Sequence, residues 1–392
     1  MNQMQLKRGY FILEGMHAYG TFFFFNYLMF LLRDEYNFGR RETLAAGAVH
    51  GLVYFLGCIY AGRFAQRFGY YTSLTLGFGV MIGGLILGAV WHVLIAQLAA
   101  FWIWTAGMCF TWPALEALAS EGESSRTLPR VIGFYNLVWA GLSGAGYFTG
   151  GAIFEHLGAS SVYRLPLGLL AVQLLLLAVL ARAGRAKAVD AGESPNIPPD
   201  GNHEVRKTKV APEVFLKMAW LANPFAYVAI NTLLLVIPGI ALELQLSTTA
   251  TGIFCSLWTF TRLGAFVALW RWSGWHYRFG WLAAAYLGLI LGFIVLLTAR
   301  NLFALVAAQI VFGFGTGLIY YSSLFYSMDV GKTKGEHGGL HEGAIGLGVC
   351  VGPGLGAGTL YLFPQHPQAG IWAVAGLLCC GLVALLWMRY RR

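Results

Sequence analysis

Apolar residues gather along this chain in blocks long enough to cross a bilayer, with short polar breaks between them. The blocks are 10–32, 43–62, 72–91, 93–115, 130–152, 163–181, 220–242, 250–270, 281–299, 301–325, 339–361 and 370–388. A helix rising 1.5 Å per residue needs about 20 mainly apolar residues to cross the hydrocarbon. Each block therefore predicts one span, six before residue 182 and six after residue 212. Local patterns recur between the two sets. Gly146-Tyr147-Phe148-Thr149-Gly150-Gly151 in span five is answered by Gly352-Pro353-Gly354-Leu355-Gly356 in span eleven, an offset of 206. Arg67-Phe68-Gly69 after span two is answered by Arg278-Phe279-Gly280 after span eight, an offset of 211. The expectation is an all-α membrane protein with twelve transmembrane helices in two pseudo-symmetric six-helix bundles, residues 1–181 and 213–392.

The break at 182–212 differs from the others. Arg182 to Lys187 is basic, Ser194 to Asp200 is proline-rich and Glu204 to Lys209 is charged, so the segment cannot build a core and is expected to be a mobile linker. Composition agrees with a membrane protein: 58% of residues are hydrophobic and 11% charged, against roughly 25% charged in a soluble protein. Placing both termini in the cytoplasm puts 20 of the 26 Lys and Arg residues on that side and leaves Arg33, Arg40, Arg41, Arg164 and Arg300 outside. The positive-inside rule selects this orientation and rejects its inverse. The net charge of +9 then follows from topology and anionic lipid, and no nucleic-acid motif is present.

The first apolar block is too long for a signal-peptide core and carries Glu14 and His17, so it is expected to remain as span one. All six cysteines fall within predicted spans without metal-type spacing, which suggests buried, reduced thiols. The absence of an Asn-x-Ser/Thr sequon favours a bacterial inner membrane. No nucleotide loop, metal signature or nucleophile–base arrangement occurs, so neither an enzyme, a cofactor nor ATP drive is expected.

Gly62-Arg63-Phe64-Ala65-Gln66-Arg67-Phe68-Gly69 resembles the loop signature between spans two and three of the major facilitator superfamily. Gly62, Arg67 and Gly69 match that signature; Gln66 stands where the family has an acid, and Tyr70 and Tyr71 replace its basic pair. Span five is similar to the family's Gly-Pro-x-x-Gly-Gly signature, with Gly146 and Gly150 kept and Tyr147 in place of proline; span eleven has Gly352-Pro353. The resemblance implies two bundles rocking about a central solute site, with spans three, six, nine and twelve at the lipid-facing periphery. Those four spans hold no Asp, Glu, Lys, Arg or His between their ends, which fits. It also implies that the loop acid helps to hold an outward-facing state, a latch that Gln66 supplies without charge. The span-four arginine of drug-exporting members is missing, since Phe101 to Thr105 is apolar, aromatic or hydroxylic. The glycines of spans five and eleven also suit close helix packing on their own account.

Ionisable groups inside spans are costly, about 2.5–3.5 kcal/mol for Arg or Asp at a helix centre on insertion scales, and so they carry the functional expectation. Arg262 lies near the middle of span eight and either binds a carboxylate or phosphate of a solute through its planar fork or pairs with an acid such as Glu342. Glu14 and His17 share a face of span one, Glu14 as a proton carrier about a turn from the cytoplasmic edge and His17 as a solute ligand or satisfied polar residue. His337 and His341 have a two-histidine metal spacing, but Gly338-Gly339 weakens the helix and no third ligand is fixed, so His341 and Glu342 are read as a gate or proton relay and no metal is assigned. Glu342 occupies the repeat position of Asn136. Glu116 follows Trp112-Pro113, where a kink is expected, and either lines a cavity or lies in interfacial water. His50 reads as a satisfied core residue, and Asn231, before Pro238, as a solute hydrogen-bond donor.

The expected function is secondary transport of a small polar or anionic organic solute by alternating access, proton-coupled, in a monomer. The alternatives are proton-driven efflux of hydrophobic compounds, for which the 15% aromatic content offers a lining, and a non-transporting membrane sensor of the same fold.

Overall fold

The computed structural model describes residues 3–123, 127–190, 211–299, 301–330 and 334–391. Among the described residues, fourteen α-helices form twelve rods. In chain order they are α1 (Gln3–Tyr36), α2 (Arg40–Phe68), α3 (Tyr70–Val90), α4 (Leu94–Cys109), α5 (Trp112–Ser120), α6 (Leu128–Leu157) and α7 (Ser161–Asp190), followed by α8 (Pro212–Glu243), α9 (Thr248–Cys255), α10 (Leu257–Arg271), α11 (Phe279–Thr298), α12 (Leu302–Val330), α13 (Lys334–Leu362) and α14 (Ala369–Tyr390). Each of the twelve expected spans matches one rod, overrunning it by no more than one residue. Eleven rods are long and apolar enough to cross a membrane. The exception is α1, whose Glu14, His17 and Asn26 dilute an otherwise aromatic sequence but are themselves buried.

Two rods are broken. α4 stops at Cys109, and Phe110 and Thr111 bond back three residues, to Gly107 O and Met108 O, before α5 begins. The cause is Pro113, which has no N–H for the Cys109 carbonyl and sits in the first turn of α5, where that loss is harmless. The kink expected at Trp112-Pro113 is thus a break one turn earlier. A second break, at Ser256 between α9 and α10, has no proline and was not foreseen.

The first nine residues of the expected linker are helical: α7 continues to Asp190, through Gly184, with no proline between Arg182 and Val189. Residues 191–210 lie outside the described residues. The thiols also differ from expectation: Cys58 and Cys109 are buried, Cys255 and Cys350 partly so, and Cys379 and Cys380 are exposed on α14, though all six are free.

α1–α7 pack among themselves, as do α8–α14, and the pairs α2/α13 and α6 with α9/α10 join the two groups. Glycine makes the first joint possible. A Cβ on Gly51 would stand 2.2 Å from the Cys350 backbone nitrogen, and one on Gly346 2.6 Å from that of Phe55. At the second joint a Cβ on Gly151 would meet the Thr248 carbonyl oxygen at 2.3 Å. The signature glycines seal each group internally: Gly146 abuts the Tyr19 carbonyl of α1 and Gly150 the Tyr27 ring, while Gly352 abuts the Val228 carbonyl of α8. Pro353 follows inside α13. The same glycine thus seats span five on span one and span eleven on span seven, a packing counterpart of the sequence repeat.

Gly69 is the joint between α2 and α3, with φ +89°, a conformation open to glycine without strain. Its N–H caps α2 at Ala65 O, and Gln66 and Arg67 are exposed beside it, one turn beyond Gly62. The repeat does not reproduce this joint. Gly280 lies inside α11, and the positive φ (+54°) falls on Tyr277, whose N–H donates to the Tyr326 hydroxyl.

Candidate functional site

A cavity lies between the two helix groups at mid-depth. Its wall takes residues from α1, α2, α4, α5, α6, α8, α10, α12 and α13, and none from α3, α7, α11 or α14. About 120 Å³ is open to the centre of a water molecule, space for several waters or one small solute.

Arg262 forms one side. It is 3% exposed, at the sixth residue of α10, and its guanidinium carbon lies 4.7 Å from the Trp139 ring centre, 4.9 Å from Tyr320, 5.5 Å from Phe266 and 5.8 Å from Tyr227. Trp139 and Tyr320 are parallel to within 12°. Four electron-rich faces offset part of the desolvation of the cation; such contacts contribute about 2 kcal/mol when dry. Tyr227 is also a hydrogen-bonding neighbour of the guanidinium. Nε and Nη2 nevertheless have no partner among the described residues. The ion pair with Glu342 is not formed: Glu342 Oε2 instead accepts from the Tyr54 hydroxyl at 2.6 Å, a bond that crosses from α13 to α2.

Glu116 and Glu342 both line the cavity, which answers the choice between cavity and interfacial water for Glu116. Glu14 is buried within the protein. α1 begins at Gln3, so Glu14 stands about three turns inside it, 1% exposed, and its oxygens form no well-shaped hydrogen bond. Its electrostatic neighbours are Glu116 and Tyr135. Tyr135 is the common member of the group, within electrostatic reach of Glu14, Glu116 and Glu342.

Other expected site residues divide. Asn231 lines the cavity and donates to the Tyr227 carbonyl at 3.2 Å. His50 lines it as well, with Nδ1 and the Thr105 hydroxyl 2.7 Å apart and its ring stacked on Phe101. His17 does not reach the wall: Nε2 is 2.9 Å from the Thr111 hydroxyl and the ring packs between Phe78 and Trp112. Asn136 is buried away from the wall with both amide atoms unpartnered. His341 flanks Tyr320, ring centres 5.7 Å apart, with Nε2 unpartnered. The His337 side chain lies outside the described residues. No group of three or more metal-ligating side chains occurs among the described residues. The tyrosines Tyr54, Tyr135, Tyr227 and Tyr320 were missed from sequence. Only Tyr54 had a signal, four residues after His50 and therefore on the same face of its helix.

A bundle of membrane-spanning helices around a largely apolar cavity with a few charged and polar groups in its wall defines a polytopic membrane protein built to hold something at its centre. The chain belongs to the Major Facilitator Superfamily, whose family model matches residues 11–330. No curated protein matches it in sequence. Among solved structures, it is similar to the human organic anion transporter MFSD10 (TETRAN), at 15% identity and TM-score 0.69, with 98% of this chain and 100% of that one covered. It is also similar to a mutant of the nucleoside transporter NupG, at 12% identity and TM-score 0.71, with 98% and 99% covered. At those identities the likeness is one of fold. Family and fold together make the chain a multi-pass membrane transporter.

Proposed function

We propose that this transporter moves a small polar or anionic organic solute by alternating access, with proton coupling. The observation that carries the reading is the pair of unpartnered donors on Arg262, a buried cation in the wall of the cavity between the two helix groups. A guanidinium in that state is completed by a carboxylate or phosphate accepting from Nε and Nη2 together. Asn231 supplies a neutral donor, and the rings around Arg262 bound the solute's body. That MFSD10 is described as an organic anion transporter is consistent with this assignment.

Glu116, Glu342 and Glu14 are the proton carriers in this reading, with His341 beside them. Glu342 is the best placed to link a proton to movement, because its bond to Tyr54 joins the two helix groups. Residues 1–181 and 213–392 are the rocking units, joined by the segment between them. The Lys and Arg asymmetry supports both termini in the cytoplasm of a bacterial inner membrane.

The test is thermal stabilisation of the purified protein by a panel of carboxylates, phosphates, sugars, amino acids and lipophilic cations, followed by uptake of each hit into liposomes. An anion should stabilise the wild type and lose its effect in Arg262→Ala. Solute-driven proton movement, read with an internal pH dye, should disappear in Glu342→Gln. Anion binding that survives Arg262→Ala in a folded protein defeats the site assignment, and uptake without proton movement defeats the coupling.

A further inference from the structure

We infer that the solute is a zwitterion whose anion and ammonium sit at opposite ends of a short body, the anion on Arg262 and the ammonium between Glu116 and Glu342. This rests on the anion-binding reading above and narrows it. The cavity is bipolar. Arg262 lines it, and so do Glu116 and Glu342. Neither acid has a cationic partner: the ion pairs among the described residues use Lys7, Arg33, Arg40 and Arg41, none of which lines the cavity. Glu342 has only the Tyr54 hydroxyl, and Glu116 is partly open.

Once Glu116 and Glu342 have released their protons, a plain anion on Arg262 meets two carboxylates in the same cavity, and a plain cation on the carboxylates meets Arg262. Only a solute bearing both charges turns every one of these contacts attractive. The spacing selects further. Arg262 lies against Trp139, while Tyr135, one turn earlier on α6, is within electrostatic reach of Glu116 and Glu342. One turn of helix is about 5.4 Å. An α-amino acid carries both charges on one carbon and falls short of that span, whereas an ω-amino acid or an aminomethyl arenecarboxylate covers it. The walls between the poles are Trp112, Tyr135, Trp139 and Tyr320, which suit a flat or apolar spacer.

The experiment is calorimetric titration of the purified full-length protein with 4-(aminomethyl)benzoate, 4-methylbenzoate, benzylamine and phenylalanine. The first carries both charges at opposite ends, the next two carry one each, and the last carries both on one carbon. The end-to-end zwitterion should bind about tenfold or more tighter than each of the others. In Glu116→Gln with Glu342→Gln the affinity ratio of 4-(aminomethyl)benzoate to 4-methylbenzoate should collapse to about one, and Glu116→Gln alone, should the double variant fold poorly, should lower it part-way. Equal affinity for 4-methylbenzoate and the zwitterion in the wild type, abolished by Arg262→Ala, overturns the inference and leaves the anion site standing. Tightest binding of benzylamine, or no binding of any probe, overturns both.

Discussion

Arg262 shows how a buried cation is tolerated without a counter-ion. Its charge is spread over a planar group, and rings on α6, α8, α10 and α12 have their centres 4.7–5.8 Å from its central carbon. Lysine keeps the charge but not the plane or the fork. Arg262→Lys should therefore weaken an anionic solute by about tenfold or more, as measured by titration, and lower Tm as well. A Kd equal to wild type would show that charge alone suffices. His17 makes the opposite prediction. It is bonded to Thr111 and enclosed by rings, with no share in the cavity wall. His17→Ala should cost about 2 kcal/mol of stability through lost packing and an orphaned hydroxyl, with solute Kd unchanged. Arg262, Glu14, Glu116 and Glu342 were legible in the sequence because an ionisable group inside an apolar run is costly enough to need a reason. The tyrosines were not, because an aromatic on a membrane helix faces lipid, neighbour or cavity without altering the pattern. The burial of Glu14 was not legible, because the groups that surround it, Glu116 and Tyr135 among them, come from other helices.

At the scale of the element, glycine decides where helices touch. A Cβ on Gly352 would lie 2.5 Å from the Val228 carbonyl oxygen, whereas one on Gly79 in α3 would meet nothing within 4 Å. Gly352→Ala should destabilise by about 1–3 kcal/mol, the usual cost of overpacking, and Gly79→Ala should be neutral or slightly stabilising. Thermal unfolding of the two variants compares them directly, and equal Tm values would remove the packing role from Gly352. The twelve rods were legible because the hydrophobic effect writes membrane spans as length and composition. Their ends were not: α7 runs past its apolar block to Asp190, and α13 begins at Lys334, ahead of its own. Both extensions run through glycine, Gly184 in α7 and Gly335 and Gly338 in α13, so helix hydrogen bonds persist beyond the hydrocarbon where no proline removes a donor. The Ser256 break was invisible because no proline marks it.

On the scale of the whole molecule, polar contacts between the two helix groups are uneven. At the end remote from the termini, Arg33 donates to the Pro238 carbonyl at 2.9 Å, Arg40 pairs with Glu243 at 2.9 Å and reaches the Pro367 carbonyl, and the Thr249 N–H donates to Glu155 at 2.9 Å. The Arg33 and Arg40 contacts border a vestibule that includes Leu235 and Leu360. Opening that end requires these bonds to break. Arg33→Ala with Arg40→Ala should raise the labelling rate of Leu235→Cys by a membrane-impermeant maleimide several-fold, in a background lacking the native cysteines. An unchanged rate would mean that the latch lies in the glycine joints instead. The pairing of the two groups was partly legible, through the repeat and the glycines, but the latch was not. Arg33, Arg40 and Glu243 sit in short loops and helix ends, where charge is ordinary and only the fold brings the partners together.

The contact between Arg262 and Trp139 has an optical consequence. An indole with a full positive charge 4.7 Å from its ring has its emission shifted by that field. A solute anion that screens the guanidinium, or draws it off the ring, changes the field and therefore the colour and yield of the fluorescence. The chain has 13 tryptophans, so the component belonging to this one is the difference between wild type and Trp139→Phe. Occupancy of the site can then be followed in real time, without a label, for solutes that carry no chromophore of their own.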